Sequence, residues 1–542
     1  MRPRGTAVPR HAAAGPAARG DRRIRLAIAG LMLAMLLAAL DQTIVATALW
    51  TIARDLDPAH GITRLSWVVT SYIVAATATT PLYGRISDLY GRRPLYLFAI
   101  VVFLVGSLVA GLAGSMAVLI AGRAVQGVGA GGLIGLTFAV VADLAPGRER
   151  GRYQGYFGAV FAVASIAGPL LGGLITAQPP WPPGFASWRW VFVINLPVGL
   201  LALSAAAAGM RAQPVPERSG AKVDVPGAVL LVGGVGTLLL VLEGGRSPVT
   251  AALSLALLVA FVWWEYRVER RARPAVPLVP LRLLANPVVR LAVPVAFVVG
   301  STTFGAVVYV SLHLQIVDGL DPVGTGVHLV PMMVGVLVGS TSAGQAIART
   351  GRYHVFPALG TVLAAAGLAA LRLSGAHRSP AALTAATFVL GLGLGLVTQV
   401  LVLAVQNAVD KKQLGAATGT VTFFRQLGGS FGTALFGAVL AARLSAELPA
   451  GRLAAADPAR LRGMPAQAVR ATTAAVGHAT GAVFLSAAAL MVCASLVSLR
   501  LLARLRGVRS GGPATARHRA GPAHQRAGPL KRRFSAMRER AG

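Results

Sequence analysis

The stretch GRISDLYGRR, Gly84 to Arg93, sets three arginines (Arg85, Arg92 and Arg93) and one acid, Asp88, between two apolar runs. Those runs, Leu65 to Pro81 and Pro94 to Ala113, come close to the ~20 residues a helix needs to cross the hydrocarbon layer of a bilayer. Charges at this density are excluded from that layer, so the stretch reads as a short loop at one membrane face. Gly84 and Gly91 bracket it, as suits a tight connection between two helices.

Composition extends this reading to the whole chain. With 542 residues, 55% of them hydrophobic and only 13% charged, the sequence is that of a polytopic membrane protein rather than a string of soluble domains. The formal net charge of +33 invites a nucleic-acid reading. The basic residues, however, collect in loops and tails, the pattern that holds short loops in the cytoplasm, so no nucleic-acid partner is expected. The single cysteine, Cys493, stands in an apolar run. It excludes a disulfide framework and a thiolate metal site, and is expected to pack as a small buried side chain. No G-x-x-x-x-G-K-[ST] loop occurs, and GVGAGG, Gly127 to Gly132, follows no strand, so neither is a nucleotide site. No metal or cofactor is expected. Without a nucleophile-base pairing or a His/Cys/Asp cluster, the chain is not read as an enzyme.

Apolar runs recur at 26–50, 65–83, 94–113, 116–142, 153–176, 190–209, 225–243, 249–265, 288–312, 324–347, 354–373, 381–405, 416–442 and 473–502. Backbone groups in lipid must be satisfied within each span, so these fourteen candidates are expected to be helices. The fold expectation is an all-α membrane protein of two six-helix halves, 26–209 and 288–502. Two inserted spans lie in 210–287, and basic tails occupy 1–25 and 503–542, the latter disordered. With the amino terminus in the cytoplasm and no cleaved leader, parity puts Arg148, Arg150, Arg152, Arg211, Arg218, Lys222, Arg267, Arg270, Arg271, Arg273, Arg349, Arg352, Lys411 and Lys412 in loops on the Arg92 side. Both termini then lie inside a cell membrane. The arginines of 443–472 run against this rule. Glu243 and Glu265, at the ends of the inserted spans, are expected among headgroups, and 267–287, rich in proline, is expected to be loop.

An internal repeat supports two halves. Gly84-x-x-x-Asp88-x-x-Gly91-Arg92 recurs as Gly344-x-x-x-Ala348-x-x-Gly351-Arg352, while Gly151, Gly155 and Gly168 recur at Gly415, Gly419 and Gly432. The offsets nearly agree, as a duplicated transporter half requires. Ala348 replaces the aspartate, so any device built on Asp88 is asymmetric.

Two of the ionisable residues that fall inside spans stand out. Asp41 lies about 24 Å along the first helix at 1.5 Å rise per residue. A carboxylate there costs roughly 2.5–3.5 kcal/mol on insertion scales, so it faces a partner or a cavity and can exchange a proton as access alternates. Arg123 cannot shed its charge and needs a fixed acceptor; Gln126, one turn on, can share its site. Asp88 can cap a facing helix or pair with Arg92 or Arg93, which makes this loop a candidate gate. His313, Gln315, Gln399, Gln406 and Asn407 are polar positions in or beside later spans. They are candidates for lining a substrate path, with packing as the simpler role for each.

These motifs together resemble the Major Facilitator Superfamily, in its fourteen-span drug:proton antiporter (EmrB/QacA-like) group, over about Leu26 to Leu502. The loop motif matches Gly84 to Arg93, including Gly91, and the fourth-span motif matches Arg123, Gln126, Gly127 and Gly129. The antiporter motif G-P-x-x-G-G matches Gly168, Pro169, Gly172 and Gly173. L-D-x-T-I-V at Leu40 to Val45 and WRWVFVINLPVG at Trp188 to Gly199 are also similar to the family's patterns. The resemblance implies proton-coupled export of amphipathic or cationic small molecules, with Asp41 and Arg123 in proton coupling or substrate binding and the glycine–proline motif marking exporters. A dedicated exporter of one metabolite uses the same scaffold, and a non-transporting membrane sensor is the rival from a different class.

Overall fold

A computed structural model of the chain describes residues 16–57, 61–144, 149–179, 185–210, 222–242, 247–270, 275–320, 322–377, 380–410, 413–447 and 465–510. Arg148, Arg211, Arg218, Arg271, Arg273, Lys411, Lys412, Glu243, the middle of the 443–472 connection and the tail beyond 510 lie outside the described residues.

Five long helices open the chain: α1 (Pro16–Leu56), α2 (Gly61–Tyr90), α3 (Arg92–Gly111), α4 (Met116–Leu144) and α5 (Glu149–Ala177). A 3-10 turn at Ser187–Arg189 leads through α6 (Trp190–Val193) into α7 (Asn195–Gly209). Helices α8 (Val225–Leu242) and α9 (Pro248–Arg270) pack on each other. After the short α10 (Leu281–Ala285) come α11 (Pro287–Ile316), α12 (Pro322–Thr350), α13 (Phe356–His377), α14 (Pro380–Ala408), α15 (Leu414–Glu447) and α16 (Ala466–Ser510).

Local chemistry sets several of these boundaries. Gly91 has φ 91, a conformation closed to most L side chains, and so turns α2 into α3 within one residue; Gly351, at φ 66, ends α12 at the start of a five-residue connection to α13. Asn286 caps α11 by accepting from Val288 N at 2.9 Å, with Pro287 as the first helical residue.

Helix packing follows the sequence repeat. α1 packs on α5 and α7 as α11 packs on α15 and α16; α4 packs on α2 and α3 as α14 packs on α12 and α13. The two sets meet where α5 crosses α12 and where α2 crosses α15. The outer surface is apolar, with Leu201, Val229 and Leu255 each more than half exposed, as a lipid-facing belt requires. Thirteen described segments are long and apolar enough to cross a membrane. α2, home of the expected second span, is not among them, because threonines lower its apolarity. Thr70, Thr77 and Thr80 are buried, so neighbouring helices rather than lipid receive them.

Several expectations are corrected. Cys493 is exposed, on the outer surface of α16 beside Val492 and Leu496; an apolar run in a membrane helix shows one flank to lipid, so apolar sequence alone does not bury a thiol. Glu265 is wholly buried and accepts from Leu278 N at 3.0 Å, because the segment after α9 folds back over the helix end. That segment is not all loop: it contains α10 and β2 (Ala275–Val276), whose residues pair in parallel with β1 (Lys222–Val223), Lys222 beside Ala275 and Val223 beside Val276. The last helix continues past 503 to Ser510, and the first begins at Pro16, ahead of residue 26.

Candidate functional site

The buried charges of the first helix set converge on one point. Asp41, with no exposure, ion-pairs through Oδ2 with Nη1 of Arg123, itself 1% exposed. Gln126 Nε2 donates to Asp41 Oδ1 at 2.7 Å, and Asn195 Nδ2 donates to the same oxygen at 2.9 Å. Ser107 Oγ joins them, accepting from Gln126 at 2.8 Å and from Asn195 at 3.3 Å. Arg123 also donates from Nε to Val68 O at 3.1 Å and from Nη1 to Gln126 Oε1 at 2.7 Å. Its guanidinium lies 4.3 Å from the centre of the Tyr72 ring, a cation–π contact within normal range. The Tyr72 hydroxyl donates to Ala38 O at 3.1 Å.

Residues of five elements, α1, α2, α3, α4 and α7, thus join one network around a single carboxylate, which α4 and α7 touch directly. The 1→4 spacing of Arg123 and Gln126 puts both on one face of α4. Both Asp41 oxygens are occupied by donors, so the pair is compensated as a buried ion pair must be. Sequence reasoning found Asp41, Arg123 and Gln126, but missed Asn195, Ser107 and Tyr72. The available signal was Asn195, an amide inside the apolar run VFVINLPVG.

The glycine–proline motif sits beside this cluster. A Cβ at Gly168 would fall on the Thr43 side chain, and one at Gly172 on Thr47 Oγ1, within about two turns along α1 from Asp41. Thr43 Oγ1 also donates to Ala164 O at 3.1 Å. Gly173 has nothing within 4 Å of a built Cβ, so close packing accounts for two of its three glycines. Pro169 lies within α5, which is one unbroken helix here.

The Asp88 end of the bundle holds the second constellation. Asp88 accepts from Gly415 N at 3.1 Å and Ala416 N at 2.9 Å, capping the amino terminus of α15. Arg92 Nη2 lies 2.5 Å from Asp88 Oδ1, and its Nε lies 3.1 Å from Asp143 Oδ2. Arg85 stands 3.9 Å from Asp88. Burial pushes the Asp88 carboxyl above the ordinary carboxylate range, opposed by Arg92, the Ala416 amide and Arg85. A Cβ at Gly84 would fall on Gly415 O, and one at Gly415 on Gly84 O. Arg93 instead donates to Ala207 O of α7 at 3.1 Å, within its own helix set. Asp143, the second acid on Arg92, went unnoticed in the sequence because it follows α4's long apolar run without a motif around it.

The later polar candidates scatter. His313 Nδ1 lies 2.8 Å from Thr480 Oγ1 and is spent on α16. Gln315 is half-buried and Asn407 exposed at its helix end. Gln406 joins the two sets: Gln154 Nε2 donates to its Oε1 at 3.0 Å, and its own Nε2 donates to Phe138 O at 2.9 Å and Thr418 Oγ1 at 3.1 Å. Gln399 is 6% exposed. Among the described residues no group of three His, Cys, Asp or Glu could hold a metal.

Known proteins resemble the chain over most of its length. It is 37% identical over 507 residues to the uncharacterized MFS-type transporter Rv1877 of Mycobacterium tuberculosis (strain ATCC 25618 / H37Rv), covering 90% of this chain and 71% of that one. It is 33% identical over 429 residues to the multidrug transporter protein MdtP of Bacillus subtilis (strain 168), covering 77% and 75% respectively. The crystal structure of the human organic anion transporter MFSD10 (TETRAN) superposes with a TM-score of 0.61 at 16% identity, over 88% of this chain and 99% of that one; at that identity the likeness concerns the fold alone. Residues 31–433 match the family model described as Major Facilitator Superfamily. An all-helical bundle with a duplicated packing plan, buried charges inside its spans and these relatives lead to one conclusion: the chain is a membrane transporter that belongs to the Major Facilitator Superfamily.

Proposed function

We propose that the chain is a proton-coupled exporter of amphipathic small molecules, of the fourteen-span drug:proton antiporter type. It works by alternating access between halves at 26–209 and 288–502, with two inserted spans in 210–287. The observation that carries this reading is the buried Asp41–Arg123 pair, held by Gln126, Asn195 and Ser107. Protonating Asp41 removes the counter-charge of a guanidinium that cannot lose its own. The cluster must then rearrange, and α5, packed on α1 at Gly168 and Gly172, is the element that feels it. Its other end touches α12 through Gly151 and Gly155, so one helix links the proton site to the contact between halves. Both oxygens of Asp41 are occupied, so we assign it proton exchange rather than the binding of a substrate cation. The name of the multidrug relative supports efflux as the direction.

In this reading the Asp88 end faces the cytoplasm, as do both termini, and the cytoplasmic gate is shut. Gly84, Asp88, Gly91 and Arg92 close it, while Arg93 braces α3 on α7. Asp88 acts there as the acceptor of the Gly415 and Ala416 amides and the partner of Arg92, and substrate or protonation opens the gate by weakening those bonds.

The test is flux in reconstituted vesicles under an imposed pH gradient. Asp41→Asn should abolish gradient-driven export and, by stranding Arg123, cost about 3–5 kcal/mol of stability. The double variant Asp41→Asn/Arg123→Gln should regain stability while export stays lost. Export by the double variant at the wild-type rate would remove the pair from the mechanism.

A further inference from the structure

One interior charge belongs to neither constellation. Arg425 lies on α15 in TFFRQLGG, Thr422 to Gly429. A Cβ at Gly300 of α11 would fall on its backbone carbonyl, which places Arg425 where α11 and α15 cross. Its Nε is buried without a hydrogen-bond partner. Among the described residues no carboxylate pairs with it.

Arg425 does not point to lipid. Phe423, Phe424 and Leu427 of α15 pack with α8, and the exposed Phe431 lies about 120° round the helix from Arg425 at ~100° per residue. Register instead puts Arg425 level with Gln399. Gln406 of α14 meets Thr418 of α15, and these consecutive helices run antiparallel. About two turns back along α14 is Gln399, and about two turns on along α15 is Arg425. Gln399 is 6% exposed and its Oε1 has no partner. Thr422, one turn before Arg425 on the same face, is fully buried with an unpartnered hydroxyl. Gln399 Cγ would stand 3.7 Å from a Cβ at Gly158 of α5, so this level borders the other helix set.

The fold itself does not demand this charge. The glycines repeat between Gly151 and Gly415, and the same offset maps Arg425 onto Phe161, an apolar residue packed against Ala39, Leu40 and Ala164. One repeat thus does with a phenylalanine what the other does with an unpaired guanidinium. Half-buried, with its Nε shut off from solvent, the guanidinium is only partly hydrated, and an incoming anion supplies the missing acceptor. A carboxylate, sulfonate or phosphate ester accepts two parallel N–H bonds from arginine, and the Gln399 amide and Thr422 hydroxyl add neutral partners.

We propose that Arg425, with Gln399 and Thr422, anchors an acidic group of the transported molecule, so that the substrates are amphipathic compounds bearing a carboxylate or an equivalent anion. This rests on the transport reading above. The test measures binding of a panel of amphipathic aryl carboxylates and their methyl esters to the purified full chain in detergent, with gradient-driven flux of the same compounds in vesicles. The wild type should hold the carboxylates more tightly than their esters. Arg425→Gln should weaken the carboxylates by about ten- to a hundredfold, the scale of a charge-assisted bond, and leave the esters unchanged. Arg425→Lys should recover part of the loss and Gln399→Leu should lose less, which guards against a folding defect in the first variant. A wild type that does not favour carboxylates, or variants that bind both series as the wild type does, would overturn the proposal. Arg425-dependent binding without flux would leave the anion site standing and remove the transport reading; flux indifferent to charge and to Arg425 would do the reverse.

Discussion

Two crossings join the helix sets at the Asp88 end, and they are unequal. α2 meets α15 through Gly84 and Gly415, and α12 meets α5 through Gly344 and Gly151, each glycine lying against a backbone carbonyl or a neighbouring helix. Backbone packing is therefore duplicated. Charge is not: Asp88 caps α15 and holds Arg92, whereas Ala348 occupies the matching place on α12. Helix α8 also packs beside the first crossing, against Val74 and Leu82 of α2 and Phe423 of α15. Duplication supplies close approach at both crossings, and one aspartate adds charge-assisted bonds to one of them.

The largest effect that sharpens this comparison comes from Gly84→Val. Its side chain would run into the α15 backbone, costing about 1–3 kcal/mol or more as overpacking. The expected result is loss of closure, read as labelling of cysteines introduced on the facing ends of α2 and α15 in a Cys493→Ala background. Next is Asp88→Asn, which removes charge-assisted bonds to two backbone amides and Arg92, at about 1–3 kcal/mol. The same labelling should rise at the α2–α15 crossing and stay low between α5 and α12; equal change at both would break the asymmetry. The smallest effect belongs to Ala348→Asp, which offers α5 a cap like the one Asp88 gives α15, worth about 0.5–2 kcal/mol. It should slow opening, measured as a lower export rate with the protein's melting point unchanged or raised.

Much of this was legible before the fold. Apolar length and the charges of Gly84 to Arg93 gave a helical membrane bundle, and the glycine repeat gave its paired packing. An ionisable residue inside a span is conspicuous, so Asp41 and Arg123 stood out and proved to touch. Less legible were residues whose meaning depends on a distant partner. Asn195 looks like a minor interruption of an apolar run until α7 brings it to Asp41. Glu265 looks like a headgroup residue until a later segment folds over it. Arg425 lies inside the run 416–442 but belongs to none of the motifs, and only the fold shows that among the described residues no carboxylate pairs with it.

The sequence by itself determined the solvent each segment can live in, because the cost of placing charge or bare backbone in hydrocarbon is local and needs no knowledge of neighbours. Only the tertiary structure decided which charges are compensated and which are left waiting. Pairing depends on approaches of a few ångströms between helices far apart in the chain, and it separates Arg123, enclosed by its carboxylate, from Arg425, to which the described residues bring no carboxylate.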